Sequence, residues 1–296
     1  MEVWNRHREA IEFLAVGHLA VDSWKGKRIL GGAAAYGALT ASRLGLRSAV
    51  VTSVGEDFDL FPALEGVEVW FHRTGASTAF ENRYLDGHRR QRLLGRARPL
   101  TSEDLRPVLP RLAEDAISFY CPLARELQAP LVPLAPRGLS AAAPQGFFRQ
   151  WDDEGWVWPA PWREAPSFVG SVDVLTLSES DPPDLGDFLR QVEGGVRLLA
   201  VTAATRPVTL YAEGRRYRIP VLARPEIDPT GAGDVFGAAL LLGLREGQEP
   251  VEATRLACSA ASFAVERTGV EGVPPSREAV EMRLAEYRKV YQQAPV

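Results

Sequence analysis

The chain has 296 residues, a net charge of −4, a hydrophobic fraction of 46% and 2 cysteines, enough apolar material to bury a large core in one domain, with or without an appendage. Interspersed acids and bases exclude a nucleic-acid footprint. Cys121 and Cys258 lie far apart and the histidines form no HxxxH pair, which argues against a zinc site or disulfide framework and for a reducing cytoplasm. No apolar run reaches the length of a membrane span and residues 1–12 are polar and mixed in charge, so a cytoplasmic protein with no membrane association is expected.

Phe13–Gly17 is a short apolar run ending in glycine, the pattern of a buried strand opening into a loop. His18–Asp22 is that expected loop; ligands of open α/β sheets gather outside the carboxyl ends of strands, so Asp22 is placed either to accept hydrogen bonds from substrate hydroxyls or simply to be solvated. Gly31-Gly32 opens a helix of small residues, Ala33–Leu44, closed by Gly45. Ser48–Val54 reads as the next strand, so a βαβ unit with a parallel sheet is expected. Over 67–98 the pattern changes to alternating runs on either side of Asp86-Gly87, a hairpin signal. This predicts a small antiparallel flap able to exclude water from a reaction, or else an ordinary edge hairpin.

Thr101–Leu105 predicts a capped helical turn and Ile117–Cys121 a buried strand. The stretch 130–166 is rich in proline and tryptophan and reads as a strand at Leu131–Leu134 followed by irregular loops, the tryptophans packing rather than stacking on a nucleotide. Asp173–Asp181 is a strand ending in acids. Glu179 and Asp181 fit the few oxygens that Mg²⁺ takes from a protein beside a triphosphate, or they dress the helix Asp184–Val192 that follows Pro182-Pro183. Val196–Thr202 predicts a strand, and residues 208–212 with 215–220 a hairpin.

Asp228-Pro229-Thr230-Gly231-Ala232-Gly233-Asp234 then runs into an apolar helix. Gly231 and Gly233 permit a sharp turn and close ligand approach, and the unpaired N–H groups at the helix start attract an anion such as a phosphate. A carboxylate there repels the phosphate unless it takes a proton or shares a cation, which marks Asp234 as more than a spacer. Dipole complementation by a first-turn acid is the plainer alternative. Pro250–Arg267 reads as a helix with a small-residue face, and Ser276–Tyr291 as a final amphipathic helix.

Asp228–Asp234 resembles the C-terminal signature of the ribokinase-like (PfkB) carbohydrate kinases, and Gly31-Gly32 with its helix resembles their N-terminal signature. The resemblance runs over nearly the whole chain. It implies a single three-layer α/β/α domain over residues 1–296, with a largely parallel sheet and a β lid from about 67–98 that in several branches is a dimer surface. It further implies an ATP- and Mg²⁺-dependent kinase acting on a small sugar or polyol, with Asp234 as base and the N–H groups of Gly231, Ala232 and Gly233 as an anion hole. Asp22, Gly31, Gly32 and Gln145 would bind the acceptor. Thr202, Ala204, Thr230, Cys258 and Ser262 would border the nucleotide, and Glu179 and Asp181 the metal.

The chain departs from the family pattern at several places. Ser178 stands at an asparagine position, Asp181 at a glutamate position and Cys258 where asparagine is frequent. Residues 203–207 lack the glycines of the nucleotide turn, and Pro207 is expected to stiffen it. Gln145-Gly146-Phe147 resembles the inositol-kinase-like branch, with Ala143 in place of an aspartate. These departures keep a non-catalytic sugar- or nucleotide-binding relative open. A dinucleotide-dependent oxidoreductase is the other alternative, on the glycines at 231, 233 and 237; a P-loop kinase is not, for want of a Walker sequence.

Overall fold

A computed structural model describes residues 1–24, 26–85, 88–127, 134–192 and 194–291. The expected turn at Asp86-Gly87 and most of the expected strand Leu131–Leu134 lie outside them. The central sheet has ten strands in the spatial order Glu2–Trp4, Val67–Thr74, Ser48–Gly55, Ile11–Val16, Leu112–Tyr120, Ser140–Ala142, Val174–Ser178, Leu198–Ala203, Arg206–Ala212, Arg215–Ile219. From Val67–Thr74 to Leu198–Ala203 neighbours run parallel, and antiparallel strands close both edges. Parallel strands are buried on both faces, which is why they read as unbroken apolar runs such as Phe13–Val16.

One face is covered by helices Ala33–Arg43, Ala232–Arg245, Pro250–Ala264 and Arg277–Tyr291, whose buried residues join one core. The first of these lies close to the sheet because its side chains are small: Ala33 to Ala41 are all buried. The opposite face is covered by shorter helices at Ser102–Leu105, Ala165–Val169 and Leu185–Val192 and by Phe147, Phe148 and Trp162. This is the three-layer α/β/α arrangement. Trp162 stacks on Phe147 with centroids 4.5 Å apart, so this tryptophan packs as expected. Thr101 and Asp104 make the reciprocal capping box of the helical turn.

The flap differs from expectation in its composition. Val67–Thr74 belongs to the central sheet, paired along its length with Ser48–Gly55. The separate four-stranded sheet is Lys27–Gly31, Ala20–Trp24, Thr78–Leu85 and His88–Gly95, in that order. Asp22 is therefore on a strand, paired with Ile29 on one side and Phe80 on the other, not in a loop. The short run Ala20–Trp24 turns back through Gly26 at φ +77°, so two small strands form where the sequence gives no long alternating stretch. Ser140–Ala142, inside the region expected to be irregular, supplies a short central strand, and Arg149–Trp151 pairs with Val157–Pro159 in a separate hairpin.

Candidate active site

The parallel strands deliver their carboxyl ends to one rim, as open α/β sheets do at their ligand sites. A cleft of about 410 Å³ runs along that rim beneath the flap. Asp22, Gly32, Gln145, Asp181, Thr202, Ala204, Thr230, Gly231, Ala232, Gly233, Asp234, Cys258 and Ser262 all line it. Gly31 sits just behind: a Cβ on it would come within 2.2 Å of Asp22 Oδ2, so glycine here leaves the room in which the carboxylate is held.

Gly231 adopts the left-handed conformation at φ +83° and is the N-cap of helix Ala232–Arg245. A Cβ there would fall 2.2 Å from the Tyr36 ring, so both backbone angle and packing demand glycine. Asp228, only 2% exposed, holds the loop before it. Its two carboxylate oxygens accept from Thr230 N (3.0 Å) and from Gly269 N (3.3 Å). Of the N–H groups expected to face an anion, that of Ala232 donates to Pro229 O at 3.3 Å. Those of Gly231 and Gly233 have no backbone partner among the described residues.

Asp234 lies in the first turn of this helix. Burial, reinforced by the like charge of Asp181 and opposed by Arg149, pushes its carboxyl up to about 7. Asp181 is also raised by burial, although Ser178 N and Gln145 Nε2 donate to it at 2.8 and 3.1 Å. Gln145 in turn accepts from Arg149 at 2.8 Å, and Arg149 donates to Gln91 of the flap at 2.9 Å and lies 5.1 Å above the Phe80 ring. A polar chain thus links the acid pair to the flap. Arg149 follows directly on the short helical segment Pro144–Phe148 that carries Gln145, and its four-residue spacing from Gln145 was the available signal.

Three expectations are corrected. Glu179 does not line the cleft; its carboxylate is taken by Arg206 in a close ion pair, and no cluster of three or more acids, histidines or cysteines suited to a metal occurs among the described residues. Of the two acids expected to border the metal, Asp181 alone lines the cleft. The turn after Leu198–Ala203 survives without glycine because Ala204 itself adopts φ +51°. Pro207 lies in the strand Arg206–Ala212 rather than stiffening the turn. The glycines at 231, 233 and 237 follow irregular chain, not a strand, over residues 220–230, which removes the structural basis of the dinucleotide reading. Cys258 is buried, with its thiol pushed up to about 12 by desolvation. Ser262 spends its hydroxyl on Ser259 O and accepts from Arg283.

The family model of pfkB family carbohydrate kinases matches residues 172–277. A ribokinase of Lactococcus lactis is 29% identical over 132 residues, 43% of this chain and 44% of that protein. The bifunctional protein HldE of Magnetococcus marinus is 28% identical over 82% of this chain and 54% of its own length. The chain thus spans about half or less of each of these curated relatives. A solved pyrophosphate-dependent kinase in the ribokinase family, complexed with a pyrophosphate analog and myo-inositol, is 26% identical over 91% of this chain and 99% of its own, with a TM-score of 0.74. Together with the three layers and the glycine turn at Gly231, these likenesses make the chain similar to the ribokinase-like (PfkB) carbohydrate kinases, with the family model itself matching residues 172–277.

Proposed function

We propose that the chain is an ATP-dependent kinase that transfers the γ-phosphoryl group to a hydroxyl of a sugar or cyclic polyol. The observation that carries this reading is Asp234, a carboxyl raised to about 7 at the start of the helix that would receive the phosphoryl group. A base with that affinity takes the acceptor's proton near neutral pH as the acceptor oxygen attacks phosphorus. Gly231 and Gly233 N–H groups, with Ala232 N–H if it turns from Pro229, stabilise charge on the transferring oxygens. Asp22 and Gln145 orient the acceptor over Gly31-Gly32. Thr202, Ala204, Thr230, Cys258 and Ser262 border the donor, which arrives as its Mg²⁺ complex, the cation keeping mostly water and phosphate oxygens. Because the transition state is loose, positioning supplies more of the rate than the base.

A nucleotide donor is supported by the cleft beyond the glycine turn, where Leu222, Ala261 and Val265 give apolar wall that inorganic pyrophosphate would leave bare. Pyrophosphate is the second reading, favoured by the likeness to a pyrophosphate-dependent kinase. The deciding experiment supplies Mg-ATP or Mg-pyrophosphate with myo-inositol, ribose, fructose, 2-keto-3-deoxygluconate and nucleosides, and follows ADP or phosphate release. Acceptor-dependent ADP release that Asp234→Asn lowers by about 10²–10⁴-fold is the expected result. Phosphate release from pyrophosphate alone would move the donor to the second reading. Release from neither, with ATP left unbound, would point to a non-catalytic relative.

A further inference from the structure

A second cavity of about 510 Å³ opens beside the cleft, sharing Gln91, Gln145, Arg149, Ser180 and Asp181 with it. Its outer wall is the face of Trp156, Val157 and Trp158, with Arg90 on the flap opposite. Trp158 is 43% exposed, and it comes from the same hairpin that starts at Arg149: Arg149 pairs with Pro159 and Gln150 with Trp158. One side of this hairpin reaches into the proposed acceptor end while the other presents an open indole next to it.

The hairpin is fixed rather than hanging free. Leu93 N on the flap donates to Gly155 O at 2.8 Å, Arg92 Nε donates to Glu154 O at 2.6 Å, and the Arg92 guanidinium covers the Trp156 ring at 5.7 Å. Trp156 is thereby occupied in holding the flap, whereas the Trp158 face is left to the cavity. A preformed concavity with a flat apolar wall and planar polar side chains converging on it has the make-up of a small-molecule subsite. A ring seated there would rest its apolar face on the indole and leave its polar edge to Gln91, Gln145 and Arg90.

We infer that the acceptor is a two-ring molecule: the polyol that receives the phosphoryl group carries a second ring through a glycosidic bond, and that ring occupies the cavity against Trp158. This rests on the kinase reading above. A single sugar ring fills only the cleft and leaves the second cavity to water. A glycosidic substituent on the ring edge facing away from Asp234 enters it past Gln145 and Arg149. The second ring could be a sugar or a nucleobase, which share the flat face that the indole meets.

The test measures kcat/KM for matched pairs: myo-inositol against galactosyl-myo-inositol, fructose against sucrose, and ribose against adenosine, cytidine and inosine. At least one two-ring member is expected to exceed its single-ring partner by about tenfold or more, and the class that does so tells sugar from nucleobase. Trp158→Ala is expected to remove that advantage through KM while leaving kcat/KM for the single ring unchanged, and Trp158→Phe to restore most of it. Single rings used as well as or better than every two-ring partner would overturn the inference, as would an advantage insensitive to Trp158→Ala. Calorimetric titration of the same pairs into the Asp234→Asn protein keeps the two proposals apart. Tighter two-ring binding that needs Trp158 supports the cavity assignment even if no phosphoryl transfer occurs, whereas equal binding or none overturns it.

Discussion

Asp234 is costly to the fold in a way that its pH dependence exposes. Its carboxyl is raised to about 7, so between about pH 4 and 7 the folded chain holds a proton that the unfolded chain has lost, and stability falls as pH rises through that window. Asp234→Asn removes the effect. The variant is expected to melt higher than the parent at pH 8, with the difference vanishing toward pH 4; thermal unfolding at both pH values checks it, and equal melting points at pH 8 would contradict the burial of the charge. If Asp234 is the base as proposed, the same carboxyl gives kcat/KM an acid limb, expected to fall about tenfold per unit below pH 7. Since Asp181 raises Asp234, Asp181→Asn is expected to shift that limb to lower pH.

At this scale the sequence pointed to Asp234, Asp22, Gly32, Gly231 and Gly233, which the fold gathers along one cleft, because each stands in or beside a short motif. It did not disclose that Glu179 is claimed by Arg206, or that Arg149 and Gln91 meet. Those pairings join residues distant in sequence, and no spacing rule reaches them.

At the scale of elements, the turn into helix Ala232–Arg245 is a tight constraint. Gly231→Ala must bear a left-handed angle and displace the Tyr36 ring, which is 1% exposed. The expected loss is about 1–3 kcal/mol in urea unfolding, with a fall in turnover as the helix N-terminus shifts. Wild-type stability in this variant would show that the turn has slack. The strands and helices of the central layers were legible because apolar runs and capping residues carry them. The flap was legible only in part. Thr78–Leu85 and His88–Gly95 announce themselves by alternation, but Ala20–Trp24 and Lys27–Gly31 are five residues each and become strands by pairing with each other and, for Ala20–Trp24, with Thr78–Leu85 far along the chain. Val67–Thr74 alternates like a flap strand, yet the parallel edge offered by Ser48–Gly55 takes it.

At the scale of the whole molecule, the two ends of the cleft are joined through one buried carboxylate. Asp228 accepts from Thr230 N on the proposed donor side and from Gly269 N, and the turn Gly269–Gly272 packs on Lys27–Gly31, the strand that ends behind Asp22. Whatever settles the donor loop also settles the floor of the acceptor end. On the proposed assignment of donor and acceptor, such an arrangement is expected to make each substrate strengthen the other's binding, by the same factor in both directions, typically about 5–150-fold. An asparagine at 228 presents an N–H where one of the two donors now points, so Asp228→Asn is expected to bring that factor close to one in a titration of donor with and without acceptor. A factor unchanged in the variant would place the coupling elsewhere. In the parent, donor bound alone would then hold the empty acceptor end in shape, so that the chain waits for its second substrate already half assembled.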